Sequence, residues 1–412
     1  MNRLLKIVLI LLVVACVFDP ADKLLGLKMP LFVLAWILFL FGIALNHTNR
    51  CVSRGMVVYL ILFLLIPLIS ISHYFLTGGD SINYNGFQYL KSYLFITVTF
   101  ILCIAKINLI KPTVVIITAL SILALIIIIA SRLNTLLVVS VIVDVGQRYG
   151  ILSLGSRLWG ASVFPDLPGV YFHTAELIIL PVGYFTMKTI FSKGCKKIIY
   201  GLLLAINMVA MFVSATRNNI VACVLVPIFI TLWYSKRRIF ILSGIVILLS
   251  ALYINHLDAI KESIESIFRP GQLSNLKKIS YFNDYLSLFS DAKVLWFGQG
   301  LGSYFHFTMG EYRSLTELTY FEFIRELGLI LALPLFALLL YPLSKLRLKK
   351  YRSIHYLLIV YLFFLMMSFF NPLLISSSGM LLLSIVLYKV FLPVSTPYAC
   401  QSQVNTTAGM AC

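Results

Sequence analysis

One stretch of this 412-residue chain, 296–328 (WFGQGLGSYFHFTMGEYRSLTELTYFEFIRELG), combines residue types that bind anions and move protons. It brings glycines at alternate positions together with carboxylates and arginines, and it then enters the apolar run 329–340. Gly298, Gly300 and Gly302 allow backbone N–H groups to approach an anion closely, although the same spacing also serves a plain tight turn. A polar segment that leads directly into an apolar helix predicts a site at the boundary between water and the lipid bilayer.

The composition indicates that a membrane protein must position these residues. Hydrophobic residues make up 60% of the chain and charged residues only 12%, and the mean hydropathy is +0.98. These values exclude an ordinary soluble protein. Spanning the hydrocarbon takes roughly 20 apolar residues, and about twelve segments meet that criterion. The predicted spans are 4–18, 30–46, 56–75, 89–105, 112–131, 168–187, 198–215, 219–234, 239–255, 322–344, 354–371 and 373–392. We therefore predict an all-α polytopic membrane protein with one transmembrane domain over residues 1–392.

The charge distribution predicts the orientation. With the N-terminus inside, more than half of the 33 Lys and Arg residues fall in short inner loops or at inner helix ends, as the positive-inside rule requires. Two long outer loops, 132–167 and 256–321, are then expected to cap the site, the second with a helical pattern at 273–289. The tail 393–412 is expected to be cytoplasmic and disordered.

The sequence also argues against several kinds of partner. The inner loops are too short for a nucleotide-binding domain, and the chain has no Walker-type glycine loop. No Asp/Glu cluster in the outer loops has metal-ligand spacing. We therefore expect no cofactor, no metal and no nucleic acid.

Arg217 is a candidate anion ligand in the short polar segment 214–219 (SATRNN). The chain between Lys197 and Lys236 is just long enough for two spans, so this segment is expected to be a tight turn at the outer boundary. An arginine there does not serve the positive-inside orientation. Its position favours an anion site, with pairing to an outer acid as the alternative.

Glu176 is an ionisable residue inside the predicted span 168–187. Such a residue marks a transport pathway or a buried hydrogen-bonding partner, and His173, one turn away, is a candidate for that partner. Both interpretations stay open.

Three stretches, in order, resemble the O-antigen polymerase/ligase superfamily, bacterial enzymes that transfer lipid-linked oligosaccharides at the outer face of the inner membrane. RLWG and FPD within 157–166 resemble the family's Arg-x-x-Gly…Pro-Asn segment, with Asp166 in place of Asn. SATR at 214–217 is similar to its tight outer turn. GQGLG…E…ELG over 298–328 is similar to its glycine turn and the helix that follows. The resemblance covers about half of the chain.

The resemblance implies a GT-C-like fold and a metal-independent glycosyltransferase that polymerises a surface polysaccharide such as O-antigen, capsule or exopolysaccharide. The donor would be an oligosaccharide on undecaprenyl diphosphate in the membrane lipid, and a chain-length regulator is a possible partner. It also implies the bacterial inner membrane, both termini cytoplasmic, and a site that faces the periplasm.

The resemblance also assigns roles to residues. Four cations are candidates for the diphosphate: Arg217, Arg157, Arg148 and Arg313. Glu317 is the candidate general base. The residues expected to line the substrate groove are Gly298, Gly300, Gly302, Glu322 and Glu176. A rival interpretation makes Ser314–Glu317 a capping box that only starts a helix, with a second such box at Thr319–Glu322. The base would then be Glu322 or His306.

Two alternative functions remain. Ligases usually carry a His-Asn pair where this chain has Glu317-Leu318, which favours the polymerase over an O-antigen ligase. A flippase or transporter of lipid-linked glycans is the other class, and Glu176 is the main feature in its favour.

Overall fold

The computed structural model describes most of the chain. The described residues are 2–20, 22–23, 26–45, 53–77, 84–132, 144, 146–148, 152–155, 169–214, 217–234, 273–308, 312–348 and 353–392. The α-helices are α1 Asn2–Phe18, α2 Lys28–Leu45, α3 Arg54–Leu76, α4 Tyr84–Leu94, α5 Val98–Ala105, α6 Ile110–Arg132, α7 Ile179–Phe191, α8 Cys195–Val213, α9 Arg217–Tyr234, α10 Leu273–Leu288, α11 Ala292–Phe297, α12 Thr319–Leu340, α13 His355–Met367 and α14 Ser377–Phe391. The 3-10 turns are Phe95–Thr97, Ala175–Ile178, Tyr341–Arg347, Ser368–Phe370 and Pro372–Ile375. Two small antiparallel hairpins pair β1 Leu152–Gly155 with β2 Gly169–Phe172, and β3 Phe305–His306 with β4 Tyr312–Arg313.

The predicted class, an all-α membrane protein, is confirmed. By length and composition, six helical segments in the described part could cross a membrane: Lys28–Leu45, Arg54–Leu76, Asn85–Ala105, Ile110–Ala130, Cys195–Val213 and Thr319–Arg347. Three shorter apolar helices match further predicted spans: Asn218–Tyr234, His355–Phe370 and Ser377–Phe391. The span predicted at 239–255 lies outside the described residues. The total of twelve therefore stays a prediction.

The predicted span 168–187 is wrong as a single helix. It begins as strand β2, whose residues Gly169–Phe172 pair with β1, and continues through the 3-10 turn Ala175–Ile178 before α7 starts at Ile179. Backbone groups that pair in a hairpin cannot also make helical hydrogen bonds. Pro181 fits within the first turn of α7, where its missing N–H would have no helical acceptor.

Contacts between helix ends show that several helices meet at one end of the bundle. Thr174 Oγ1 donates to Val17 O over 2.7 Å, and Ser378 Oγ donates to Cys16 O over 2.6 Å. The end of α1 therefore lies beside the starts of the segments that lead into α7 and α14.

The same end holds the first half of α12. Ser70 Oγ, near the end of α3, donates to Glu326 O over 2.9 Å, and Thr319 Oγ1 donates to Asn371 O over 3.0 Å. We call this region, defined by Val17, Ser70, Thr174 and Thr319, the polar end of the bundle.

The opposite end is joined by contacts that involve aromatic residues. Tyr59 OH donates to Leu338 O over 2.9 Å, and Trp233 Nε1 donates to His355 Nδ1 over 2.8 Å. These pairs make α3 antiparallel to α12 and α9 antiparallel to α13.

Helix α12 is broken at Gly328, whose φ of 67° and ψ of 166° are not helical. The break separates a mixed segment, 319–327, from the apolar run 329–340. Trp296–Gly298 passes so close that a Cβ on Gly298 would lie 2.5 Å from Gly328 N and 2.7 Å from Glu326 O. Only glycines allow two backbones to approach this closely.

We expect Gly298→Ala to lower the thermal midpoint of the detergent-purified protein more than Gly194→Ala. Gly298 and Gly194 both have positive φ, 75° and 57°, so each alanine is strained by about 1–2 kcal/mol. Only Gly298→Ala adds a clash, because a Cβ on Gly194 meets nothing within 4 Å. Overpacking of this kind costs about 1–3 kcal/mol. Equal midpoints for the two variants would contradict the close approach at Gly328.

Candidate functional site

The glycine loop, defined here as residues 298–303, docks onto the break in α12. Gln299 N donates to Arg325 O over 2.7 Å and Gly300 N donates to Glu326 O over 3.0 Å. Gly302 N donates to the Glu326 carboxylate, at 2.9 Å from Oε1. The anion that the loop binds in this structure is thus a carboxylate of the same chain.

This arrangement corrects the expected role of Gly298, Gly300 and Gly302. We predicted N–H groups directed at a substrate, but these N–H groups have acceptors within the protein, since Gly298 N itself donates to Val294 O over 2.9 Å. The glycines bring the loop against α12, and they do not line an open groove here.

Arg325 lies at the centre of the site and is 0% exposed. Its guanidinium contacts two carboxylates: it donates to Glu322 Oε1, from Nε over 3.1 Å and through a second short bond from Nη2, and its Nη2 lies 3.7 Å from Glu326 Oε1. Both glutamates are also 0% exposed. A buried guanidinium between two carboxylates is stable only if all three groups are well hydrogen-bonded.

The remaining N–H groups of Arg325 bind the glycine loop and the approach to α12. Nη1 donates to Gln299 Oε1 over 2.9 Å and to Ser303 Oγ over 2.7 Å. Nη2 donates to the carbonyl oxygens of Ser303, over 2.9 Å, and Ser314, over 3.1 Å. One side chain therefore joins segments that are distant in sequence.

Helix α10 adds a phenol to the same network. Tyr285 OH donates a short hydrogen bond to Glu322 Oε2, and it shares a 2.6 Å hydrogen bond with the Thr316 hydroxyl. Burial raises the pKa of Tyr285 well above its ordinary value, and the Glu322 carboxylate adds to the rise. The phenol therefore stays protonated and remains a donor. Residues 273–318, which we call the cap, are fastened to α12 through these bonds.

The structure places Glu322 in this interior network, and not on a groove where the sequence predicted it. Its two carboxylate oxygens accept hydrogen bonds from Arg325 and Tyr285, and the Thr316 hydroxyl lies 3.3 Å from Oε2. A carboxylate held in this way is not available to take a proton from a substrate.

Glu317, five residues earlier, is accessible. Its side chain is 54% exposed, and its Oε2 lies 3.5 Å from Lys278 Nζ. Neither predicted capping box forms, because α12 begins at Thr319 with Leu318 as its N-cap residue and no side-chain cap. Glu317 thus precedes the helix, which removes the interpretation of this residue as a cap.

Glu176 is buried, at 2% exposure, and its partner is not the predicted one. Asn371 Nδ2 donates a short hydrogen bond to Glu176 Oε1, while His173 is exposed. Glu176 Oε2 is a buried atom with no hydrogen-bond partner among the described residues. The pair links the turn before α7 to the extended residue between Ser368–Phe370 and Pro372–Ile375.

The four candidate arginines are described to different extents. Arg217 is the first residue of α9, so the second half of the predicted turn 214–219 is helical, and the side chain of Arg217 is outside the described part. Arg313 is in β4, again without a described side chain. Arg157 lies outside the described residues. Arg148 is 73% exposed and pairs with Asp144 over 3.0 Å.

Two of the three stretches that carry the resemblance come to the polar end. Helix α9 runs antiparallel to α13, with Trp233 beside His355 at the opposite end, so Arg217 lies toward the end of α13. There Phe369 packs against Phe321, the fourth residue after Glu317, with ring centroids 6.0 Å apart. The distance between Arg217 and Glu317 depends on a side chain outside the described part.

Arg325, at the centre of the site, was not among the residues predicted from the sequence. The pattern Glu322-x-x-Arg325-Glu326 does indicate an ion pair of Arg325, because side chains three residues apart on a helix are neighbours. An arginine so near the apolar run 329–340 needs a partner. Among the described residues, no group of three or more His, Cys, Asp or Glu could hold a metal ion.

Comparison of the chain with protein-family models, with curated proteins and with solved structures gave no match. The geometry of the site and the resemblance of its motifs are therefore the basis for a functional proposal.

We expect Arg325→Met to destabilise the protein by about 3–5 kcal/mol, because it strands two buried carboxylates. Adding Glu322→Gln should recover part of that loss, since one stranded charge is then removed. Arg148→Met breaks an exposed pair and should cost at most about 1 kcal/mol. Thermal or denaturant unfolding in detergent measures all three. A loss at Arg325 no larger than that at Arg148 would contradict the network.

Proposed function

We propose that this protein is a polymerase that transfers oligosaccharide repeat units from undecaprenyl diphosphate into a surface polysaccharide. The observation that carries the proposal is the meeting of two resembling stretches at the polar end. The turn that leads into α9 with Arg217 and the approach to α12 with Glu317 are far apart in sequence, yet both lie there.

The proposal includes a topology. Twelve spans with both termini in the cytoplasm of the bacterial inner membrane, and a GT-C-like arrangement, would direct the polar end to the periplasm. The basic inner loops support this orientation.

The proposed reaction needs no nucleotide sugar and no metal. A hydroxyl of the acceptor sugar attacks the anomeric carbon of the donor, the bond from that carbon to the diphosphate oxygen breaks, and undecaprenyl diphosphate leaves. Glu317 takes the proton of the attacking hydroxyl. Arg217, with Arg157, Arg148 and Arg313 as further candidates, stabilises the charge on the leaving diphosphate, which a guanidinium can bind with two parallel hydrogen bonds.

The environment of Glu317 supports its role as the base. Its carboxylate is exposed and forms a surface ion pair with Lys278, so a substrate hydroxyl can reach it. The buried Glu322 is not reachable in this way.

A flippase or transporter of lipid-linked glycans is the second candidate. One observation favours it: Glu176 Oε2 is buried without a hydrogen bond, beside the extended residue Asn371 between two 3-10 turns. Interrupted helices form substrate and ion sites in transporters, and acidic residues inside the membrane form their proton relays. Purified protein that lengthens a lipid-linked glycan would favour the polymerase. Movement of the glycan across a bilayer without lengthening would favour the transporter.

We expect both Arg217→Lys and Arg217→Ala to abolish polymer while the protein still inserts in normal amount. Lysine keeps the charge but cannot make the paired hydrogen bonds of a guanidinium. Polymer length on a gel and protein in the membrane fraction are the measurements. Near-normal polymer from Arg217→Lys would remove Arg217 from diphosphate binding.

We expect Glu317→Gln to reduce polymerisation by about 10²–10⁴-fold, because glutamine cannot accept the proton. The matched control is Lys278→Gln, which breaks the same ion pair and leaves the carboxylate in place. An exposed pair contributes at most about 1 kcal/mol, so both variants should keep nearly normal thermal stability. Equal activity of the two variants would show that Glu317 only pairs with Lys278.

A further inference from the structure

Helix α10 has two apolar faces, of which the described part of the chain covers one. Tyr281 and Tyr285 are 3% and 0% exposed and form the core of the cap. Four other large apolar side chains of this helix are 41–52% exposed: Leu276, Ile279, Phe282 and Leu286. At 3.6 residues per turn these four fall within an arc of about 120°, which also holds Asn283. We call these four residues the apolar stripe.

The apolar stripe adjoins the lipid-facing surface of the bundle. Lys278 Nζ lies 5.3 Å from the centre of the Phe370 ring, at the end of the apolar helix His355–Phe370. Phe370 is 40% exposed, and Met366 on the same helix is 57% exposed. The rings of Phe282 and Phe321 meet edge to face at 5.4 Å. The stripe therefore continues the exposed apolar surface that Met366 and Phe370 form at the end of this helix.

A second feature puts the cap at the membrane boundary. Trp296 and Phe297, at the end of α11, are 49% and 56% exposed. They directly precede Gly298, which contacts Gly328 where the mixed half of α12 gives way to its apolar half. Exposed aromatic side chains at this level are typical of the interface between lipid and water.

We propose that α10 is an interfacial helix, with the apolar stripe inserted among the acyl chains of the phospholipid bilayer. Lys278, which lies at the edge of the stripe beside Phe370, is then near the phosphate groups, as basic residues of interfacial helices are. A lipid surface is favoured over a single bound chain because the stripe is a convex helix face that continues the lipid-facing surface. The inference does not depend on the proposed activity.

The test uses the full-length protein in nanodiscs of phosphatidylethanolamine and phosphatidylglycerol. A diazirine amino acid replaces Ile279 or Leu286, and in control variants it replaces the exposed turn residue Ser290 or the buried Tyr285. After illumination, mass spectrometry identifies the adducts. We expect phospholipid adducts at 279 and 286 at several times the yield at 290, and crosslinks within the protein at 285.

Three results would overturn the proposal. Water adducts alone at 279 and 286 would mean that the stripe faces solvent. Crosslinks from these positions to residues 251–272 or to a second copy would mean that protein covers it. In native bacterial membranes, adducts mainly with polyprenyl lipid would make the stripe part of a substrate groove.

Discussion

The polar end of this protein depends on one buried guanidinium. Arg325 lies between the carboxylates of Glu322 and Glu326, and all three residues are 0% exposed. Removing each charge from water costs several kcal/mol, and only a complete set of hydrogen bonds offsets that cost. The cap supplies part of this set through Gln299 and Ser303. Separation of the cap from α12 would therefore remove several of the hydrogen bonds that the buried Arg325 makes.

The break in α12 follows from the same need to satisfy buried polar groups. At Gly328 the helix is interrupted, so the carbonyl groups of Arg325 and Glu326 do not accept the hydrogen bonds that a continuous helix would provide. The N–H groups of Gln299 and Gly300 and the hydroxyl of Ser70 donate to these carbonyls instead. In a membrane, non-helical backbone is tolerated only where protein supplies such partners. The glycine loop thus supplies the hydrogen-bond donors that the break in α12 requires, and the break supplies the acceptors for the loop.

The sequence predicted features that depend on local pattern. The length of the apolar runs identified the long spans, because a helix must be long and apolar to cross the hydrocarbon of a bilayer. The helical spacing of apolar residues identified α10 within one residue of its end. The strand at Gly169–Phe172 was missed because an apolar run fits a strand as well as a helix. The partners of Arg325 were missed because Gln299, Ser303 and Ser314 approach it only through tertiary folding. Neither capping box formed, because packing and not local propensity set the start of α12.

The contrast between Glu317 and Glu322 shows how this network serves a surface site. The two carboxylates are five residues apart, yet one is exposed and the other is enclosed. Glu317 is flanked by Thr316 and Leu318, each 3% exposed, and Thr316 is bonded to Tyr285. Anchored neighbours on both sides restrict the backbone, while the side chain of Glu317 is exposed and contacts Lys278. A general base needs this combination of access and fixed position. The buried charged groups thus support the proposed chemistry by holding the backbone next to Glu317 in place.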